Sequence, residues 1–293
     1  MAKTFNQLVS DYKTISRDSS SGNETLGKQL LRDFIREILY AEDWTFNRGT
    51  STANTVADQQ YYNLPYNCWR LRKVTITVDS TTYTPREVKD EKMWSILNSV
   101  SSSSNVPTYF YVKPSTNQVG FYPVPSEDNN TITYSFQKKI LDYGASDYTT
   151  GTISVNNGSD TVTGSGTSWS SDMVGRHIKI SDFWYEITAV NSTTELEIRP
   201  EFGGSNVSGD SYQISELVPL PDGFENLPLW KALAIYFQSR DSAGSRVQAN
   251  QYLTLYLEGL EQLYRRDAKT TSEILKQGDI YLPDINRYPE ITT

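Results

Sequence analysis

Residues 148–216 constrain the fold most, because their composition and period differ from those of the rest of the chain. Ser, Thr, Gly and Asn dominate there, broken by short apolar runs at Ile153 and Val155, 161–163, 178–180, 184–190, 195–198 and 212–214. Within these runs apolar residues alternate with polar ones, which is the period of a half-buried strand. Asn157-Gly158, between the first two runs, is a two-residue hairpin signal. Six short strands at this spacing predict a small all-β barrel or sandwich. Signals of another kind lie on both sides, so the segment reads as an insertion. Residues 1–147 and 217–278 would form the host, and residues 279–293 an extended arm.

The host reads as α+β. Between residues 25 and 42, apolar groups recur at Leu26, Leu30, Phe34 and Ile38 and again at Leu31, Ile35 and Leu39. Two adjacent i, i+4 rows make one broad apolar helix face. A polar loop at 16–23 separates it from a shorter helical piece near residues 4–9. After Pro219 the helical period returns, in one helix starting near Pro228 and a second from Gly244 to about Leu275. These helices are expected to pair with helix 25–42 as a bundle. Between them, Val74–Val78 and the return through Thr82–Pro85 read as a hairpin, and runs at 108–112, 119–122 and 132–136 read as strands. The result is an antiparallel sheet with one short inserted helix carrying Val88, Met93, Trp94 and Leu97.

The residue inventory excludes much chemistry. One cysteine, Cys68, and one histidine, His177, preclude an intrachain disulfide or a Cys/His zinc cluster. His177 lies in an alternating run and reads as a solvent-facing strand residue, leaving no Ser-His-Asp or Cys-His site. Gly22 to Lys28 satisfies G-x-x-x-x-G-K, but Gln29 stands where a magnesium-holding Ser or Thr belongs, and no buried strand precedes it. The carboxylate pairs Glu87 with Glu91 and Glu127 with Asp128 read as solvated charges. Asp79, Asp90 and Asp128 lack calcium-loop spacing. No catalytic residue, metal or cofactor is expected. With 27 basic and 35 acidic side chains the formal charge is −8. DNA affinity rests mainly on Lys and Arg at phosphates, so a duplex-gripping surface is not expected. The start, Met1-Ala2-Lys3-Thr4-Phe5-Asn6, shows no apolar leader, and no stretch approaches 18 apolar residues. The expectation is synthesis in a cytoplasm with no membrane partner.

The aromatic runs Tyr61-Tyr62, Tyr109-Phe110-Tyr111 and Phe121-Tyr122 read as core or partner packing, as in a sheet buried on one face and lying against a subunit on the other, with a base- or sugar-stacking platform as the alternative. In the arm, Ile280, Tyr281, Leu282, Pro283, Ile285, Tyr288, Pro289 and Ile291 are too apolar for a solvated tail. They are the candidate partner-binding residues, toward a portal or a neighbouring copy.

Four segments together resemble the head-to-tail adaptor proteins of tailed bacteriophages, including the tail tubular protein A type. They are 58–74 (Asp58-Gln59-Gln60-Tyr61-Tyr62 through Lys73-Val74), 107–111, 121–126 and 132–136. The resemblance covers roughly residues 1–145 and 217–293. Residues 148–216, with Gly164-Ser165-Gly166-Thr167-Ser168-Trp169, resemble small β-modules that recur in phage structural proteins. The resemblance implies a virion protein of the head-tail junction, assembled as a ring of commonly twelve copies under the portal protein and leading to the tail tube, nozzle or another tail protein. DNA would pass through without sequence-specific binding, and an acidic lining would let it slide. Two alternatives remain at this stage. One is a receptor-binding tail protein holding carbohydrate through Trp169, Trp184 or Tyr185; the other is a cell-wall-degrading tail component.

Overall fold

A computed structural model of the chain describes residues 2–274 apart from Asp241, with side chains through Ala268. The fold is α+β. Helix α1 (Phe5–Ser16) starts at a capping box: the Thr4 hydroxyl accepts from the Gln7 amide at 3.1 Å, and the Gln7 side chain accepts from the Thr4 amide at 2.9 Å. Helix α2 (Ser21–Ala41) begins at Ser20, whose hydroxyl accepts from the Asn23 amide. The buried face of α2 carries Leu31, Phe34, Ile35, Ile38 and Leu39, whereas Leu26 is 42% exposed. The face is therefore narrower at its start than the two predicted rows. The motif at Gly22 to Lys28 lies inside this helix and forms no phosphate loop. Gly27 is there because α1 passes close by: a Cβ would lie 2.4 Å from the Tyr12 ring.

Next in the chain come strands β1 (Arg48–Asn54), β2 (Tyr61–Asn63), β3 (Cys68–Val78), β4 (Thr81–Tyr83) and β5 (Arg86–Glu87), then helix α3 (Glu91–Asn98). Strands β6 (Tyr109–Lys113), β7 (Gln118–Tyr122) and β8 (Thr131–Lys138) follow. They form two four-stranded sheets, ordered β1-β8-β3-β4 and β2-β7-β6-β5, antiparallel except for the β5–β6 pair. One core lies between the sheets, built from Val74, Ile76, Phe110, Phe121, Ile132 and Phe136 among others. On the outer face of the second sheet, the expected core or partner packing is core packing. This chain's own α3 covers it, with Trp94 stacked on Tyr111 at 5.4 Å between ring centres.

Residues 152–215 contribute seven strands where six were expected: β9 (Thr152–Val155), β10 (Thr161–Ser165), β11 (His177–Ile180), β12 (Phe183–Ser192), β13 (Glu195–Arg199), β14 (Val207–Asp210) and β15 (Gln213–Ser215). Their order is β14-β9-β10-β13-β12-β11-β15. Strands β14 and β15 are at opposite edges, yet only Ser211 and Tyr212 join them. The sheet therefore curls into a half-barrel around its own core of Ile153, Val162, Trp169, Ile178, Ile187 and Leu196 with their neighbours.

The chain then returns through α4 (Leu227–Gln238) and α5 (Ala243–Ile274). Pro228 occupies the first turn of α4, where its missing N–H costs no helix bond. Helix α4 packs on α1, α2 and α5, and these four helices share one core. Burial of side chains such as Leu31, Ile35 and Leu233 contributes roughly 1.5–3 kcal/mol each. Trp44, fully buried after α2, donates from its indole to the Ile38 carbonyl at 2.7 Å and packs on Tyr264 of α5.

Candidate functional site

The three parts of the fold meet at a join built by residues 139–147 and 215–219, the two chain crossings into and out of the half-barrel. Glu216, 4% exposed, accepts from the Gly144 amide at 2.7 Å and the Ala145 amide at 3.2 Å. Burial raises its carboxyl above the ordinary range, against the pull of those donors and of the Arg176 and Arg32 charges. Arg176 donates to the Ser146 and Ile214 carbonyls at 2.7 and 3.3 Å, and the Tyr143 hydroxyl donates to the Leu217 carbonyl. The first residues of the chain join in: the Phe5 amide donates to the Glu216 carbonyl, and the Val218 amide to the Lys3 carbonyl. Both crossings are thus fastened to each other and to the start of α1.

A second contact lies on the β11–β12 side. Glu186 accepts from Lys138 Nζ at 3.1 Å, from the Tyr66 hydroxyl at 3.0 Å and from Asn67 Nδ2 at 3.2 Å. Burial works to raise its carboxyl, but the Lys138 charge and the Lys138 and Tyr66 hydrogen bonds outweigh it and hold the group below the ordinary value. His177 is paired with Glu186 across the strands and lines the join. The expected solvent-facing placement is corrected here: desolvation lowers the imidazole to about 4, and its Nδ1 is buried without a partner. The β11 alternation was read correctly, but the surface that this position faces exists only in the tertiary structure.

Between these contacts runs a cleft of about 980 Å³, bounded by α2, α5, the end of β8 and the half-barrel. Its lining mixes apolar groups such as Ile140, Leu141 and Leu220 with Arg36, Lys139 and Arg266. At Tyr40 the cleft reaches a surface stack, where Trp69 lies 4.2 Å from the Tyr40 ring and is 45% exposed. Among the described residues, no group of three or more His, Cys, Asp or Glu could hold a metal ion. Glu87, Glu91, Glu127 and Asp128 are exposed, as solvated charges should be.

Other apolar groups are exposed on the surface. Met93, Ile96 and Val100 follow an i, i+3, i+7 spacing along and just beyond α3, with Ile96 60% exposed. Phe183, at the tip of the β11–β12 hairpin, is 68% exposed. Two of the three aromatics considered for sugar binding point inward. Trp169 is 2% exposed and donates to the Tyr212 hydroxyl, and Tyr185 is buried against Phe202. Trp184 is half-buried. The arm residues Ile280 to Ile291 lie outside the described residues.

The family model described as SU10 adaptor protein matches residues 3–160. The chain belongs to the SU10 adaptor protein family. The match runs from the capping box of α1 through both four-stranded sheets and past β9, so it includes the first crossing into the half-barrel. Membership in the SU10 adaptor family makes this a phage structural adaptor and a virion component. No curated protein matches the chain. Among the described residues, no helix is long and apolar enough to cross a membrane.

Proposed function

We propose that this SU10-family chain is a head-to-tail adaptor of the tail tubular protein A type. It forms a ring of twelve copies around the DNA channel, between the portal protein and the tail tube, nozzle or another tail protein. The observation that carries the reading is the family match over residues 3–160. Residues 148–216 act as an inserted domain on a host made of 1–147 and 217–278, and they are carried rigidly. The hydrogen bonds of Glu216, Arg176 and Glu186 support that rigidity.

DNA passes without sequence-specific binding, since a chain of net charge −8 repels phosphates more than it holds them. The role is mechanical and involves no enzymatic step. Residues 279–293 hold a neighbour or the portal, and in a ring many weak contacts of this kind add through avidity.

Mass photometry of the purified chain, alone and mixed with the portal ring from the same source, tests the proposal. A stoichiometric ring on the portal is expected. A stable trimer that ignores the portal would overturn it.

A further inference from the structure

We propose that strand β1 is a docking edge for a second copy of this chain, which pairs its own β1 there, antiparallel, about a two-fold axis at Thr52. The inference stands apart from the ring reading.

An outermost strand presents unpaired backbone donors and acceptors, and proteins blunt such edges by keeping them short, charged or bulged. Among the described strands, five of the six outermost ones follow this rule. Strands β2, β4 and β15 have three residues each, β5 has two, both charged, and β14 has four with a register shift. Strand β1 has seven, in unbroken register with β8, and after Arg48 it carries no charge and no proline. The element that β1 packs against is β8, and Thr50, Thr52 and Asn54 are exposed.

The hydrogen-bond pattern fixes which groups face outward. The Thr55 amide donates to the Asn130 carbonyl at 2.8 Å, so Thr55 turns its backbone toward β8. Antiparallel pairing alternates, so Gly49, Ser51 and Ala53 do the same, and the N–H and C=O groups of Thr50, Thr52 and Asn54 point away from the sheet. In a two-fold pair Thr52 meets its own counterpart, and Thr50 meets the second copy's Asn54. Each of these pairs closes two backbone bonds, no like charges meet, and Thr lies beside Thr or Asn on the exposed face. No other described edge offers β1 a match of this length. Neighbours in a cyclic ring are not related by a two-fold axis. The contact therefore belongs to the unassembled chain, where it covers the edge, and a ring of the kind proposed above has to open it.

Sedimentation velocity of the full chain over a concentration series tests the contact. Wild type is expected to run as a monomer–dimer equilibrium, and Thr52→Pro as a monomer throughout. Proline at this position deletes an outward N–H and no bond to β8, so an unchanged urea midpoint should accompany the change. Disulfide formation under mild oxidation reads the register. A hydrogen-bonded antiparallel pair sets Cα atoms about 5.5 Å apart, within disulfide reach, whereas Thr50 would stand roughly 14 Å from its counterpart. Thr52→Cys chains should therefore couple at least tenfold faster than Thr50→Cys chains. The native Cys68 is buried and its thiol is pushed up to about 11 by desolvation, which keeps it out of exchange. A wild-type chain that stays monomeric, a dimer that survives Thr52→Pro, or equal coupling rates would overturn the proposal. Should Thr52→Pro fail to fold, the coupling rates decide.

Discussion

Lys138 Nζ and Glu186 Oε2 lie 3.1 Å apart across the join between the last strand of the host sheets and the half-barrel. The pair connects residues 48 positions apart and fixes one part of the fold against another. Lys138→Met leaves the Glu186 carboxylate with neutral donors only. The expected loss is about 1–2 kcal/mol, toward the lower end because Lys138 is 37% exposed and its charge is screened. A double-mutant cycle with Glu186→Gln in urea denaturation should return a coupling of about 1 kcal/mol. A coupling near zero would mean that the Lys138 charge adds nothing to the Tyr66 and Asn67 hydrogen bonds that Glu186 also accepts.

His177 makes stability depend on pH. Its imidazole titrates at about 4 in the folded chain, against 6.5 for the free side chain. Below 6.5 the unfolded chain takes up the proton first, so stability falls as pH drops from 6.5 to about 4 and levels off below. The loss expected from this residue is roughly 3 kcal/mol. Glu186 adds a separate decline beginning below the ordinary Glu value of 4.5, because its folded-state value is lowered. Urea midpoints at pH 7.5, 6.0 and 5.0 should fall in wild type and fall less, or rise, in His177→Gln, where the raised Glu216 carboxyl acts in the opposite sense.

Gly27→Ala tests the close approach of α1 and α2. In an exposed helix the change stabilises by about 1 kcal/mol. Here the new Cβ meets the fully buried Tyr12 ring at 2.4 Å, so a net destabilisation of about 1–3 kcal/mol is expected. A rise in thermal midpoint would show that α1 moves aside freely.

Trp94 and Ile96, two residues apart on α3, should respond oppositely. Trp94→Ala removes a ring that is 4% exposed and stacked on Tyr111, costing about 3–5 kcal/mol. Ile96→Asp, at a position 60% exposed, should leave stability of the isolated chain within about 0.5 kcal/mol. Urea denaturation of both variants checks the contrast; an equal loss in the two would mean that Ile96 is not free of the fold.

The parts of the fold with large apolar residues at a clear period were legible in the sequence. Helix α2, the β3–β4 hairpin, β6 to β8 and most of the half-barrel strands are of this kind. Strand β1 was not, because its inward positions are Gly49, Ser51 and Ala53 beside Phe136, Tyr134 and Ile132 of β8. Small residues were needed there, and a Cβ on Gly49 would lie 2.9 Å from the Phe136 ring. Strand β14, Val207–Asp210, offers a single large apolar residue and gave no alternation to read. Helix α1 outran its expected length because Tyr12 packs against α2 and Tyr236, a tertiary gain with no local signature. The join was the least legible feature. Glu186, Glu216, Arg176 and His177 look like ordinary surface residues until the two crossings are brought together.

Tyr148 and Ile214 exchange both backbone hydrogen bonds, at 2.9 and 2.8 Å, just where the chain enters and leaves the half-barrel. The two stumps of the host chain therefore stand side by side, as close as neighbouring strands. A tight turn of a few residues can span that gap. Entry and exit at one point make the half-barrel a closed excursion of the chain, so its removal would leave two ends within reach of a single hairpin turn.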